Sequence, residues 1–468
     1  MDTARKLLFA GKPEEALIRL RRVLLNAKPE DIWKVYELIA AAFHDLCNFE
    51  CAAQACLDAS RTDIYLRSQR EHLSNYLFMS HYLPGFSTED MKFFLDLYAS
   101  LFVNENSFGF QSHSRAEKIS VAFIAPHFCD SSSARFYEAL LTDYDREKFS
   151  VTAWSLSSYE DQFTKKIRRN VDGYFDISET SLSGSAIRIF EKKADVLFDL
   201  GGHTEGGLTL QIAAHRPAWM QMTGIGYCDS TGLDKMHFFV GDRFLTKDAY
   251  FSEEIFPLKN AFAFRPNAVM IREKKSLRPS PHKNFTFGCL NNFMKVNKHY
   301  LRMVKAILDN VPGSKIIFRD TTPLESRRRA LAYQLEELEI RSAEVYCGTD
   351  NFFSDYAKID LILDTFPYPG GMMTALALYM GVPVLNLCGK LPGSRTGADI
   401  LRIAGLEKLI VYDKKTYIAL AIELAKNREW LAELTKKISV KKLTDTKAFV
   451  KDFYSKVEIV VNENSNGC

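Results

Sequence analysis

Apolar residues recur at helical spacing over the first 70 residues of the chain. Leu17, Leu20 and Leu24 lie three and four positions apart, and Gly11 and Pro13 interrupt the pattern between two segments. Further helical stretches cover residues 35–46 and 50–59. The pattern predicts a small all-α region over residues 1–70, followed by a helical linker over 71–115.

The pattern changes at residue 119, where short apolar runs rich in β-branched residues begin to alternate with helical segments. The runs lie at 119–125, 149–156, 173–177, 195–204 and 221–227. Such alternation is typical of a parallel sheet with helices on both faces. We expect a Rossmann-like N-terminal lobe over residues 116–255 and an irregular connection, rich in proline, over 256–284.

The alternation restarts at residue 285 and predicts a second lobe of the same type. Its apolar runs lie at 285–290, 314–320, 343–348, 360–366, 382–388 and 408–413. We expect a C-terminal Rossmann-like lobe over residues 285–440 and a C-terminal helix and tail over 441–468. The predicted fold class is α/β, with two doubly wound lobes that bind ligands at the carboxyl ends of their strands.

Composition narrows the class of protein. The 468 residues are 47% hydrophobic, which excludes a disordered chain, and their formal charge of +3 is too small to predict nucleic acid as the main partner. The nine cysteines include no CxxC pair and are expected to be reduced thiols of a cytoplasmic protein. The charged, amphipathic first residues do not have the apolar stretch of a secretory signal, so none is expected, and no run of 18 apolar residues predicts a membrane span.

Two glycines mark a candidate ligand seat in DTFPYPGGMMTALALYMGVPV (364–384). A strand, a Pro/Gly loop and a helix follow one another there, so Gly370 and Gly371 allow the backbone to approach a ligand at the helix N-terminus. This arrangement suits a phosphate or a sugar nucleotide. The alternative is an ordinary tight turn between strand and helix.

Two polar residues after predicted strands are candidates for chemistry. Lys295 follows the strand of GCLNNFMKVNKHYL (288–301) and can neutralise a diphosphate, although the same residue can be a solvated surface lysine. His203 follows the strand and two glycines of FDLGGHTEGG (198–207). It can act as an acid or base, or it can be a structural histidine that caps the next helix.

A series of motifs in this order resembles the catalytic region of the O-GlcNAc transferase/SPINDLY family of protein glycosyltransferases. The resemblance covers about residues 70 to 460 and rests on these segments: HLSNYLFMSHYLPGFSTEDM, FDLGGHT, RPAWMQMTGIGYCDSTGL, GCLNNFMKVNK, DLILDTFPYPGG, LYMGVPVLNLCG and SRTGADIL. It implies a GT-B fold of two lobes facing a cleft, with a nucleotide-sugar donor on the C-terminal lobe and a protein acceptor. Tetratricopeptide helices precede the catalytic region in this family, and GKPEEALIRLRRVLL (11–25) is similar to one such helix; an ordinary helical cap is the alternative.

The resemblance assigns roles to individual positions. Lys295 matches the lysine that holds the donor diphosphate, and His203 matches the histidine of the GHT motif. The donor-binding set that it implies is Asn292, Lys295, Thr365, Gly370, Gly371, Thr374 and Arg395. The acceptor or cleft set is Thr204, Gln221 and Tyr227. The catalytic candidates are His203 and Lys295, together with His127, which the resemblance does not assign and which would compensate for a missing family histidine.

Several positions depart from the family pattern. His127 stands where an acid is usual, and a histidine of the family falls on Ser131. Apolar residues replace polar donor contacts at four further positions, which are Phe352, Met372, Met373 and Leu376. Apolar side chains cannot replace hydrogen bonds to ribose and phosphate.

The sequence therefore predicts an enzyme that transfers GlcNAc or another hexose from a nucleotide sugar, UDP-linked in the main hypothesis, to a protein. No metal and no further cofactor are expected, because Lys295 and the helix dipole at residues 370–374 would stabilise the leaving diphosphate. Two alternatives stay open: a catalytically degenerate family member that serves as a binding or scaffold subunit, and a GT-B enzyme that acts on a small molecule.

Overall fold

The computed structural model describes residues 1–109, 117–278 and 284–465. The parts of the predicted linker and connection at 110–116 and 279–283, and the last three residues of the predicted tail, lie outside the described residues.

Six helices form the N-terminal region, in agreement with the helical spacing of its apolar residues. They are α1 (Asp2–Phe9), α2 (Pro13–Leu24), α3 (Ile32–Asp45), α4 (Phe49–Thr62), α5 (Leu66–Ser80) and α6 (Thr88–Ser100). Alanines and leucines at these spacings make the core of the first three helices, which includes Ala16, Leu20 and Leu38. The side chain of Ser87 caps α6 in a reciprocal pair with Asp90, which fixes where this helix begins.

The next part of the chain builds a parallel sheet of seven strands. Its elements are β1 (Ile119–Ala125), α7 (Ala134–Thr142), β2 (Phe149–Ser155), α8 (Gln162–Asn170), β3 (Gly173–Asp176), α9 (Leu182–Glu191), β4 (Val196–Asp199), α10 (Leu208–Ala213), β5 (Met220–Gly224), β6 (Phe238–Asp242), α11 (Arg243–Thr246) and β7 (Glu254–Leu258), with α12 (Ala268–Ser276) after them. The strand order is β3-β2-β1-β4-β5-β6-β7. Strands β6 and β7 are additions to the five predicted strands. The predicted end of the lobe at residue 255 falls inside β7, an edge strand whose Pro257 disguises it in the sequence.

The C-terminal lobe carries a second parallel sheet, of six strands in the order β10-β9-β8-β11-β12-β13. Its elements are β8 (Thr286–Cys289), α13 (Lys298–Asn310), β9 (Lys315–Asp320), α14 (Glu325–Glu337), β10 (Ala343–Cys347), α15 (Phe352–Asp355), β11 (Leu361–Leu363), α16 (Met372–Met380), β12 (Val384–Leu387), α17 (Thr396–Ile403), β13 (Ile410–Val411), α18 (Lys414–Lys426), α19 (Arg428–Lys436), α20 (Val440–Leu443) and α21 (Thr446–Ser465). All six predicted strands of this lobe are present. Together with the first sheet they confirm the predicted α/β class with two Rossmann-like lobes.

The compact units of the molecule do not follow the order of the chain. One unit consists of residues 1–72, 79–86 and 266–443, so helices α1 to α4 fold with the C-terminal sheet. The other consists of 73–78, 87–265 and 444–468, so the last helix, α21, folds with the N-terminal sheet. Within the described ranges no helix has the length and hydrophobicity needed to cross a bilayer.

Candidate active site

A buried carboxylate, Asp364, organises the loop that joins β11 to α16, residues 364–371. One of its oxygens accepts hydrogen bonds from the backbone N–H groups of Thr365 and Gly370 at 2.9 and 2.8 Å, and from Asn291 Nδ2 at 2.9 Å. The other accepts from Thr374 Oγ1 at 3.1 Å and Asn386 Nδ2 at 2.9 Å. Burial raises the pKa of Asp364. Donors on both oxygens therefore fix the 364–371 loop to the strand ends around it.

The 364–371 loop ends at Gly371, directly before the first residue of α16. Among the described residues no side chain caps this helix at Gly371, so no capping group neutralises the positive end of the helix dipole. A Cβ atom at Gly371 would meet no atom within 4 Å, whereas one at Gly370 would lie 2.6 Å from Thr374 Oγ1. The predicted ligand seat is thus an open helix start behind a closely packed loop.

Lys295 lies against the same loop. It ends a short helical turn, Phe293–Lys295, after β8, and its Nζ donates to the carbonyl oxygen of Pro369 at 2.7 Å. The ammonium group also lies 4.2 Å from the centroid of the Tyr368 ring. The positive charge of Lys295 is therefore held against Pro369, the residue before Gly370 in the loop that leads to the uncapped helix.

The other polar side chains predicted to hold the donor are engaged within the protein. Thr365 and Thr374 are buried. The Thr365 hydroxyl donates to the carbonyl oxygen of Tyr368 at 2.8 Å, and the single Thr374 hydroxyl proton is shared between Asp364 and the carbonyl oxygen of Gly370, 3.0 Å away. Asn292 Oδ1 accepts from the N–H of Met294 at 3.0 Å. The guanidinium of Arg395 donates to the carbonyl oxygen of Lys390. In this arrangement the two threonine hydroxyls hold the backbone of the 364–371 loop. Their contact with a donor stays a prediction.

The four apolar replacements differ in where the structure places them. Leu376 is fully buried in α16 and Phe352 is buried at the start of α15, where it packs on the rings of Phe353 and Tyr356. Met372 and Met373 are half-buried in the first turn of α16. Only the two methionines are therefore partly exposed at the uncapped helix start.

His203 is fully buried in the N-terminal lobe. Its Nδ1 lies 2.8 Å from Ser74 Oγ and its Nε2 lies 3.1 Å from the carbonyl oxygen of Thr231. The rings of Tyr98 and Tyr227 pack edge-on against the imidazole at 4.7 and 5.4 Å. This geometry fits the structural alternative, although His203 joins α5 and α6 to the sheet and does not cap the next helix.

The predicted acceptor residues also lie inside this lobe. Gln221 is fully buried, and its Nε2 donates to the carbonyl oxygens of Ala213 and Lys235 at 2.9 and 2.8 Å. Tyr227 is buried against His203, and the hydroxyl of Thr204 donates to the carbonyl oxygen of Gly201 at 2.6 Å. Gln221 and Tyr227 are expected from the sequence to line a cleft. In the structure both side chains are instead buried in the core of the lobe.

His127 is the predicted residue of this lobe with a partly exposed ring. Its Nε2 lies 3.3 Å from Glu205 Oε1 and its Nδ1 lies 3.0 Å from Cys129 Sγ. The hydrogen bond with Glu205 raises the pKa of His127. Ser131 Oγ, at the position of the family histidine, lies 3.4 Å from Ser133 Oγ. In the described ranges no group of three or more His, Cys, Asp or Glu side chains is arranged to hold a metal ion.

Sequence reasoning missed the residues that position the loop. Asp364, Asn291 and Asn386 come from three separate strand ends, and only their hydrogen bonds show that they act together. A signal was present, because Asp364 directly follows the apolar run of β11. Glu205 was missed as the partner of His127; it has a left-handed backbone, with φ 48°, in a segment rich in glycine.

Comparisons with known proteins identify the family of this chain. The sequence model of glycosyl transferase family 41 matches residues 87–277 and 265–457. A protein of Arabidopsis thaliana named probable UDP-N-acetylglucosamine–peptide N-acetylglucosaminyltransferase SPINDLY is 30% identical over 335 residues, which are 68% of this chain and 36% of that protein. The Arabidopsis protein SEC, with the same enzyme name, is 25% identical over 360 residues, 72% of this chain and 36% of its own. The chain thus matches only about a third of the length of these plant relatives.

A solved structure supports the fold. The O-GlcNAc transferase of Thermobaculum terrenum, in a mutant form, superposes with a TM-score of 0.87 at 20% identity, and the match covers 98% of this chain and 89% of that one. This likeness confirms the predicted GT-B fold. Since the family model covers far more than half of the sequence, the chain belongs to glycosyl transferase family 41.

Proposed function

We propose that this chain transfers a sugar, GlcNAc or another hexose, from a UDP-linked donor to side chains of an acceptor protein. The names of the plant relatives support this activity. The observation that carries the proposal is the contact of Lys295 Nζ with the loop that leads to the uncapped start of α16. A fixed cation beside free N–H groups is the arrangement that binds a diphosphate.

The proposed reaction is a displacement at the anomeric carbon of the sugar. The bond from that carbon to the phosphate oxygen breaks, a bond to the acceptor oxygen or nitrogen forms, and the acceptor proton goes to a base. Negative charge grows on the leaving diphosphate, where the Lys295 ammonium and the N–H groups of the first turn of α16 stabilise it. This step needs no metal ion, because protein groups supply the compensating charge.

His127 is the proposed base on the N-terminal lobe. Its imidazole is partly exposed and Glu205 raises its pKa, so it accepts a proton more readily than an isolated histidine. The buried His203, with both ring nitrogens hydrogen-bonded within the lobe, is the weaker candidate for the base.

A cytoplasmic location belongs to the same proposal and is supported by the eight cysteines of the described chain, all of which are free thiols.

A specific observation favours the second candidate function, a catalytically degenerate binding or scaffold subunit. Leu376 and Phe352 are buried at positions where the family has polar donor contacts, and Met372 and Met373 border the open helix start. Each ribose or phosphate group left without a partner costs about 1–3 kcal/mol. Losing several such contacts turns micromolar binding into millimolar binding or none.

A panel of nucleotides separates the two functions. Thermal unfolding of the full chain is measured with millimolar UDP, UDP-GlcNAc, UDP-glucose and GDP-fucose, and UDP release is followed with a protein acceptor present. Saturable stabilisation by UDP and by one UDP-sugar, together with UDP release, establishes the enzyme. No stabilisation and no release from any donor establishes the degenerate subunit.

The role of Lys295 is tested by Lys295→Ala. Loss of a charge-assisted contact should weaken UDP binding by about 2–3 kcal/mol and abolish transfer. Lys298→Ala is the matched control, since Lys298 is an exposed lysine of the same segment that pairs with Glu337 at 2.9 Å. Equal UDP affinities for wild type and Lys295→Ala by calorimetry would refute the assignment.

A further inference from the structure

Three aromatic rings from separate segments form a continuous row that ends at Lys295. Phe49 begins α4, Tyr82 follows α5 and Tyr368 lies in the 364–371 loop. The Phe49 and Tyr82 rings are stacked, with centroids 4.2 Å apart and planes 10° apart. Tyr82 meets Tyr368 edge-on at 4.8 Å. We refer to Phe49, Tyr82 and Tyr368 as the aromatic row; all three belong to one compact unit.

His81 closes the other side of Tyr368. The two rings lie 5.7 Å apart and are inclined by 27°. Burial lowers the pKa of His81 to about 4, so the ring is uncharged at neutral pH and adds no repulsion near the Lys295 ammonium. The space behind His81 is full, since a Cβ atom at Gly393 would lie 2.7 Å from its Nδ1. The Tyr368 ring is thus confined on two sides by residues of the turn after α5.

The confined ring limits where the ammonium group can go. Lys295 Nζ lies 4.2 Å from the Tyr368 centroid and donates to the carbonyl oxygen of the next residue, Pro369. A lysine side chain carries large rotamer entropy, so a free one must be ordered when a ligand binds. A lysine already held by a ring and a carbonyl has lost much of that freedom beforehand.

We infer that Tyr368, held by Tyr82 and Phe49, is a positioning residue that fixes the Lys295 ammonium for the donor diphosphate. This inference rests on the proposed function, because it concerns the lysine assigned to the donor. It gives the N-terminal helices a part in donor binding, since two members of the aromatic row come from α4 and the turn after α5. Removal of the Tyr368 ring or of the Tyr82 ring should weaken donor binding, although Lys295 itself is unchanged.

The first measurement needs no donor. Lysine labelled with ¹³C at Cε is observed by NMR in the full chain, and the Lys295 signal is assigned by its loss in Lys295→Arg. The ring centroid lies 4.2 Å from Nζ, the atom bonded to Cε, so its ring current should shift the Cε protons upfield. We expect this shift in wild type and in Tyr368→Phe, and its loss in Tyr368→Leu. A wild-type signal at the position of exposed lysines would overturn the inference.

The second measurement is UDP affinity by calorimetry on the same proteins. We expect Tyr368→Leu to bind UDP about 3- to 10-fold more weakly, Tyr82→Leu to weaken it in the same direction, and Tyr368→Phe to restore wild-type binding. The control is Tyr250→Leu, which removes the ring of another lysine–tyrosine pair, 4.9 Å from Lys92. This variant should bind UDP as wild type does.

Two negative outcomes are distinguishable. If wild type binds UDP and Tyr368→Leu binds it equally well, the positioning role is overturned and the proposed function stands. If wild type shows the ring-current shift but no UDP binding, the proposed function fails, and the donor-positioning role fails with it.

Discussion

The imidazole of His203 lies between two tyrosine rings and has a partner at each nitrogen. His203→Ala would leave a cavity and remove both hydrogen bonds, one of them with the buried hydroxyl of Ser74. We expect a loss of unfolding free energy of about 2–4 kcal/mol, measured by urea unfolding. Transfer activity should then fall only in proportion to the folded fraction.

The control for this substitution is His299→Ala, which removes an exposed histidine of α13 and should leave the unfolding midpoint unchanged. A stable His203→Ala variant with strongly reduced turnover and normal UDP affinity would instead support the catalytic role predicted from the sequence.

The pair of His127 and Glu205 makes a prediction about pH. Glu205 raises the pKa of His127, so the pair stabilises the folded state below the ordinary histidine pKa, and that stabilisation is lost as pH rises through the folded-state pKa. Glu205→Gln should lower the pKa of His127, as followed by NMR titration of its ring signals. Glu191→Gln, a change at an exposed glutamate of the same lobe, should leave it unchanged. A His127 pKa that is insensitive to Glu205→Gln would show that the pair does not form.

At the scale of elements, the start of α16 depends on how closely the 364–371 loop packs. Two adjacent glycines in this loop have opposite surroundings. A Cβ atom at Gly370 would lie 2.6 Å from Thr374 Oγ1 and 2.8 Å from Asn291 Oδ1, and one at Gly371 would meet nothing within 4 Å. The first glycine therefore allows the Asp364 hydrogen bonds to form, and the second leaves space in front of the helix.

This contrast predicts different outcomes for two small substitutions. Gly370→Ala should lower the unfolding free energy by about 1–3 kcal/mol, because Thr374 and Asn291 must move away from Asp364. Gly371→Ala, its matched control, should change it by less than about 1 kcal/mol. Urea unfolding and hydrogen exchange over the 364–371 loop measure both. Equal stability of the two variants would contradict the close packing at Gly370.

At the scale of the whole molecule, the end of the chain folds with the N-terminal sheet. Phe453 of α21 is fully buried, with its ring 5.5 Å from that of Phe198 in β4, and Tyr454 OH donates to the carbonyl oxygen of Leu140 at 2.6 Å. A helix encoded after the C-terminal lobe therefore completes the core of the N-terminal lobe.

Phe453→Ala should lower the stability of this unit by about 3–5 kcal/mol, since it leaves a large cavity in the core. Hydrogen exchange should increase in β1 and β4 and stay unchanged in the six-stranded sheet. Ile459→Ala is the control, because Ile459 lies on the same helix and is 53% exposed. Increased exchange in both sheets would show that the two units do not unfold separately.

Strands with uniform apolar runs, such as β1 and β4, are predicted from the sequence because burial on both faces leaves a clear local signal. Strand β7 is not, since its exposed edge position tolerates Pro257 and a charged start at Glu254. The residues of the candidate site also fall into those that the sequence predicts and those that only the structure shows. Lys295, Gly370 and Gly371 are found from local pattern and resemblance, whereas Asp364 becomes a site residue only through partners 22 to 73 residues away.

The sequence by itself determined the two doubly wound lobes, the helical start and the family resemblance, because hydrophobic period and short motifs are properties of neighbouring residues. The tertiary structure decided which side chains face outward. His203 is a polar residue that follows a strand, and Ser74 and Thr231, which are 129 and 28 positions away, bury it and supply its hydrogen-bond partners. The tertiary structure also decided that helices α1 to α4 fold with the C-terminal sheet and α21 with the N-terminal one. Such contacts depend on the free energy of packing surfaces that are far apart in the chain, and local patterns carry no record of them.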